Sequence, residues 1–130
     1  MSTHRTGIRV RFGETDAMGV ANNAIYLQYF EVGRIEHLRA MGHSYAEVHD
    51  GGIDMVVVEA DIRYLQPLRF DDEVTVETTI DELGRASFRF AYRLLVGERL
   101  HATGFTRHAC VDRATMRPTR VPEWQRNNGV

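Results

Sequence analysis

The segment FGETDAMGVANNAIYLQYFEVGR, from Phe12 to Arg34, joins a loop that carries a carboxylate to a long helical pattern. Gly13, Gly19 and Asn22 mark residues 13–22 as loop. From residue 23 to residue 41 the period becomes helical. Tyr26, Phe30, Gly33 and His37 form one i, i+3/i+4 row, and Ile25, Tyr29 and Val32 form the next. Asn22 or Asn23 is suited to cap the start, and Gly42 stands where a C-cap glycine belongs. Arg34 and Arg39 complement the C-terminal half of the helix dipole. An apolar surface this broad predicts a largely buried helix.

On the N-terminal side of this segment, IRVRF (residues 8–12) alternates apolar and basic, which predicts a strand over 7–13. On the C-terminal side, β-branched and alternating runs predict strands over 53–66, 73–82, 86–96 and 98–111. Val74, Val76, Thr78 and Ile80 share one face, as do Phe88, Phe90, Tyr92 and Leu94. Gly84 and Gly97 mark connections too short for parallel crossovers, so the hairpins are antiparallel. The tail, 115–130, holds Pro118 and Pro122 and is expected to fray after Trp124. The expected fold is α+β, with an antiparallel sheet of about five to six strands wrapped around one long central helix in a single domain, 1–130. Long outer strands leave edges that need covering, which predicts a homodimer or homotetramer.

The chain has 130 residues, with 16 basic and 18 acidic side chains, so no basic excess points to nucleic acid. Cys110 is the only cysteine, which excludes an intrachain disulfide and fits a reducing, cytoplasmic setting. No apolar run approaches a membrane span, and no secretory h-region stands at the N-terminus.

The chemistry centres on Asp16. An aspartate in a glycine-containing loop has two readings: it caps a turn, or it acts as nucleophile or general base at the mouth of the helix. Gly19 allows close backbone approach to a ligand, and the Asn22–Asn23 junction leaves helix-start N–H groups free to polarise a carbonyl. Glu14, two positions earlier, can pair with Asp16 but reads more simply as a solvated strand-end glutamate. Glu31 either pairs with Arg34 at i, i+3 or faces a cleft as a second acid, and the ion pair is preferred. The histidines lack metal-ligand spacing: His37, His43 and His49 recur every six residues, and His101 and His108 face opposite sides of one strand. No GxSxG, GxGxxG or P-loop pattern occurs. Cys110 reads as a small core residue. Arg85 and Arg117 are each most simply solvated surface charges, though either can hold a phosphate-bearing tail.

The Asp16 segment resembles the hotdog-fold acyl-CoA thioesterases of the 4-hydroxybenzoyl-CoA thioesterase type. Their signature is an aspartate in a T/C-D-x-x-G-[IVH] loop, then an Asn- or His-containing step into an aromatic helix ending in E-x-x-R. Thr15-Asp16, Gly19-Val20, Asn22-Asn23, Tyr26, Tyr29, Phe30, Glu31 and Arg34 match it. The later stretch IRYLQPLRFDDEVTVET resembles the family's strand–Pro–strand unit, with Tyr64, Pro67 and Asp72 in place. The resemblance implies that Asp16 is the catalytic carboxylate and that the Asn23 backbone N–H polarises the thioester carbonyl. It implies Gly19, Val20, Asn22, Tyr26 and Glu31 as substrate-binding residues, and Arg85 and Arg117 near the CoA nucleotide and phosphates. No metal or redox cofactor is implied; coenzyme A is part of the substrate, and a carrier-protein thioester is the other candidate. Met18 departs from the family, where a small residue is frequent, and Asn23 stands where some members have histidine or proline. A hydratase or dehydratase of the same fold, or a non-catalytic acyl-CoA binding module, are the alternative functions.

Overall fold

The computed structural model describes residues 3–129. Five strands form one antiparallel sheet: β1 (Thr3–Arg9), β2 (Ile53–Tyr64), β3 (Glu73–Leu83), β4 (Ser87–Val96) and β5 (Arg99–Asp112). Their order across the sheet is β1-β3-β4-β5-β2, so β1 and β2 are the edges. The helices are α1 (Ile25–Ala40), α2 (Tyr45–Asp50) and α3 (Glu123–Gly129).

The alternation in β3 and β4 places the predicted residues inside. Val74, Val76, Thr78 and Ile80, then Phe88, Phe90, Tyr92 and Leu94, are all buried. Against them lies the α1 row of Tyr26, Phe30, Gly33 and His37, with Tyr29 and Leu38 beside it. Phe30 stacks on Tyr92 with ring centroids 4.3 Å apart. The helix comes this close because two glycines leave room. A Cβ at Gly33 would stand 2.5 Å from Thr78 Oγ1, and one at Gly104 would stand 2.5 Å from the Phe30 ring. The buried aromatic stripe thus selects where the helix lies, and the missing side chains set how near it lies.

Several boundaries differ from expectation. β1 is Thr3–Arg9 rather than 7–13, because its pairing runs from Thr3 opposite Thr79 to Arg9 opposite Glu73, where β3 begins. Phe12–Glu14 form a 3-10 turn instead of a strand end. α1 begins at Ile25 with Ala24 at its N-cap, not Asn22 or Asn23. The Asn22 side chain instead accepts the Ala24 N–H at 2.9 Å in a local turn. α1 is the only long helix but two short ones join it among the described residues. α2 starts at Ser44, whose Oγ accepts the Glu47 N–H at 3.1 Å. The tail does not fray at Trp124: α3 runs through it, Trp124 stacks on His43, and the Arg126 guanidinium donates to the Gly84 carbonyl at 2.7 Å. These contacts are long-range and leave no periodic signal in so short a segment.

The two edges differ in character. β1 presents Arg5 and Arg9, both ion-paired to acids of β3. β2 presents Val56, Val57 and Val58, all exposed, and Tyr64 and Leu65 are exposed at its far end, beyond Glu59, Asp61 and Arg63. No helix among the described residues is long and apolar enough to cross a membrane.

Candidate active site

Asp16 sits on a tight loop that returns on itself. Thr15 and Ala21 bridge across it, and the loop docks on the β2–β3 connection through the Ala21 N–H and the Leu68 carbonyl, 2.7 Å apart. The Asp16 N–H donates to Val20 O and its carbonyl accepts from Gly19 N–H, each at 2.9 Å. Gly19 adopts φ +77, a conformation that favours glycine at this turn. One carboxylate oxygen, Oδ1, accepts the Met18 N–H at 2.9 Å, while the side chain stays exposed to solvent. One oxygen therefore organises the turn, as the capping reading expects, and the other has no hydrogen-bond partner among the described residues.

The helix start has three N–H groups after Asn22. The Ala24 N–H goes to the Asn22 side chain and the Ile25 N–H to the Asn22 carbonyl, both at 2.9 Å. Among the described residues the Asn23 N–H has no acceptor. The Asn23 carbonyl is held from the other side, accepting from the Tyr64 hydroxyl at 3.0 Å. Asn22 thus closes a local turn ahead of the helix, and Asn23 carries the unpaired donor at this step.

A cavity of about 220 Å³ opens beside this donor, lined by Val20, Ala21, Asn23, Tyr26 and the Tyr64–Pro67 segment. Val20, Asn23 and Tyr26 are thus brought together; Asp16, Gly19 and Asn22 belong to the loop that borders them but do not line it. Tyr26 is buried and its hydroxyl accepts the Leu68 N–H at 3.3 Å, so it supports the wall. Farther along, a separate groove lies between α1 and β2. Leu27, Gln28, Glu31 and Arg34 face Val57 and Ala60, and Glu31, Arg34 and Ile35 then face Tyr45, His49, Asp54 and Met55. Leu27, Glu31 and Ile35 recur every four residues and so share one face of the helix, a run of roughly 12 Å. The groove's far part is a cavity of about 590 Å³ and does not include the Asp16 loop. Glu31 pairs with Arg34 at 3.6 Å, as preferred from the spacing, and also lines the groove.

Arg85 and Arg117 do not join this site within one chain. Arg85 lies in the β3–β4 turn, and Arg117 follows the end of β5. Both are at the opposite end of the sheet, roughly 30 Å of strand away from Asp16.

Glu14 corrects the expectation of a solvated residue: it is only 8% exposed. Its Oε1 accepts the Arg11 N–H at 2.9 Å and the Tyr29 hydroxyl at 2.8 Å, and the Arg11 guanidinium meets Oε2 at 3.2 Å. Burial alone would raise its pKa, but these three donors together hold the carboxyl below the usual range. Tyr29 moves the other way, raised by burial and by the adjacent Glu14. The sequence signal was the Arg11-x-x-Glu14 spacing, that of an acidic residue reaching back to the N–H before a helical turn.

Two further titratable groups are buried in the core. His108 is buried, with Nε2 at 2.8 Å from Thr106 Oγ1, and burial lowers its pKa to about 4, so it is neutral at pH 7. Burial pushes the Cys110 thiol up to about 11, which removes its thiolate at neutral pH. Among the described residues no three His, Cys, Asp or Glu side chains gather into a metal site.

The sequence profile of the thioesterase-like superfamily matches residues 10–129, the loop, helix and all but the first strand. The chain belongs to that superfamily. It is 30% identical over 130 residues to the putative acyl-CoA thioesterase YneP of Bacillus subtilis, covering 95% of this chain and 94% of that protein. It is 32% identical to the acyl-CoA thioesterase YbgC of Haemophilus influenzae over 89% of this chain and 86% of YbgC. Among solved structures, the DHNA-CoA thioesterase of Staphylococcus aureus superposes with a TM-score of 0.88 at 30% identity, over 92% of this chain and 81% of that one. The α+β arrangement of a five-stranded sheet around α1 is thus that of hotdog-like thioesterases.

Proposed function

We propose that this thioesterase-superfamily chain hydrolyses acyl-CoA to the free acid and coenzyme A. The observation that carries the reading is the pairing, in one hydrogen-bonded loop, of a carboxylate with a free oxygen at Asp16 and an unpaired N–H at Asn23. A thioester needs little leaving-group protonation because a thiolate leaves readily. Asp16 attacks the carbonyl carbon or takes a proton from the attacking water, and the Asn23 N–H stabilises the oxyanion. The apolar face of the groove, Leu27, Ile35, Met55 and Val57, suits the acyl part. The names of YneP and YbgC support CoA as the thiol partner. Wild-type protein is expected to release free CoA from at least one member of an acyl-CoA panel spanning aliphatic and aromatic acyl groups, measured by thiol titration. Tight binding across the panel with no thiol release would instead favour a binding module, and hydration of an enoyl-CoA would favour a hydratase.

The same reading includes a homodimer joined through β2. Its exposed valine run is the edge a soluble sheet most needs to cover, whereas β1 is already charged. Two-fold pairing of β2 with its copy reverses direction, so each chain's far end comes beside the other's Asp16 end. That arrangement is what would let the partner's Arg85 and the partner's Arg117 approach CoA phosphates. Val58 is 59% exposed, so placing a carboxylate there costs the single chain little. Val58→Glu is expected to shift the protein toward monomer in sedimentation and to lower kcat/KM. A wild-type monomer at working concentration would remove this interface.

A further inference from the structure

We propose that Glu14 and Tyr29 are positioning residues for the two reacting groups: their buried hydrogen bond sets the Asp16 carboxylate and the Asn23 N–H in mutual register. The proposal rests on the thioesterase reading of Asp16 and Asn23. Glu14 stands where three parts of the site meet. Its side chain accepts from Tyr29, on the second turn of α1, and from Arg11, at the entry to the 3-10 turn. Its own carbonyl accepts the Asn22 N–H at 2.8 Å. Asn22 in turn holds Ala24 and Ile25, the residues immediately after Asn23. Two positions along the chain from Glu14, Asp16 is tied to Val20. Glu14 therefore links the helix body through its buried carboxylate and the helix start through its backbone carbonyl, two residues ahead of Asp16.

The burial is the telling part. A carboxylate placed this deep is costly unless fully bonded, and an apolar side chain would fill the same space without that demand. What the apolar side chain cannot do is fix a direction. Reacting groups need placement within about 0.5 Å, and a misplacement near 1 Å can cost on the order of 100-fold in rate. Neither Glu14 nor Tyr29 lines the cavity beside Asn23, so both act through the loop and not by touching substrate.

The test compares Tyr29→Phe, Glu14→Gln and Glu14→Met on the full chain. Tyr29→Phe removes one donor at nearly constant volume. It is expected to lower kcat by about 10- to 100-fold with KM little changed, and to shift the amide NMR signals of Asp16 and Asn23 while those of the β3–β4 turn stay put. Glu14→Gln keeps an acceptor oxygen toward Tyr29 and is expected to retain clearly more kcat than Glu14→Met, which has similar length and no such acceptor. Equal kcat in those two variants, or a Tyr29→Phe loss that only tracks the folded fraction with unmoved Asp16 and Asn23 signals, would overturn the proposal. If the wild type hydrolyses no thioester, the thioesterase reading fails on its own. The amide shifts in Tyr29→Phe then decide the positioning role without turnover.

Discussion

Asp16→Asn is expected to lower kcat for thioester hydrolysis by about 10²–10⁴-fold while the protein stays folded. The two halves of that expectation come from the two oxygens of the same side chain. Oδ1 accepts the Met18 N–H, and an asparagine carbonyl accepts the same bond, so the turn keeps its geometry. The remaining position becomes an uncharged amide, which neither attacks a carbonyl nor takes a proton from water. An alanine at the same position would confuse the two effects by also releasing the turn. The measurement is CoA release under saturating and limiting substrate, with thermal melting as the control. Activity equal to wild type in a folded Asp16→Asn protein would remove Asp16 from the mechanism, and the unpaired Asn23 N–H would lose its catalytic rationale with it.

Gly104→Ala is expected to be the most damaging small substitution for stability. The new Cβ would meet the Asp61 carbonyl of the neighbouring strand and, at 2.5 and 2.7 Å, the Phe30 ring. Neither can yield easily. Asp61 O belongs to the β2–β5 ladder, and Phe30 is fully buried and stacked on Tyr92. Overpacking of this kind costs about 3 kcal/mol, which at this chain length lowers Tm by roughly 10 °C. Gly7→Ala is the matched control: nothing lies within 4 Å of its added Cβ. A melting temperature for Gly104→Ala no lower than that of Gly7→Ala would show that α1 can lift from the sheet freely.

These contacts explain how far the fold was legible. The period of two in β3 and β4 and the broad apolar face of α1 are local consequences of burial, so the sheet and its helix could be read directly. The two short helices were less visible. Six or seven residues give too few turns for a helical period, and α3 is held by Trp124 on His43 and Arg126 on Gly84, partners about 80 and 40 residues away. The start of β1 was missed for the same reason: Thr3 to Arg5 are polar, and their strand conformation follows from pairing with Glu77 to Thr79. The Asp16 turn and the step into the helix at Asn23 were legible because loop glycine and helix-start asparagines leave a chemical pattern in sequence. The burial of Glu14 was not, since its local spacing to Arg11 shows only the bond back to that N–H, and burial depends on a tyrosine hydroxyl fifteen residues away turning toward it.

The chain's residue order was enough to establish a helix-wrapping antiparallel sheet and a carboxylate at the helix mouth, because hydrophobic period and turn chemistry act between near neighbours. Only the folded molecule decided which N–H at the helix start stays free, which edge of the sheet is left apolar, and that Arg85 and Arg117 stand at the far end from Asp16. Those outcomes depend on hydrogen bonds and strand pairings between residues distant in sequence. Such partners are chosen by how the whole chain packs, and no local stretch carries their record.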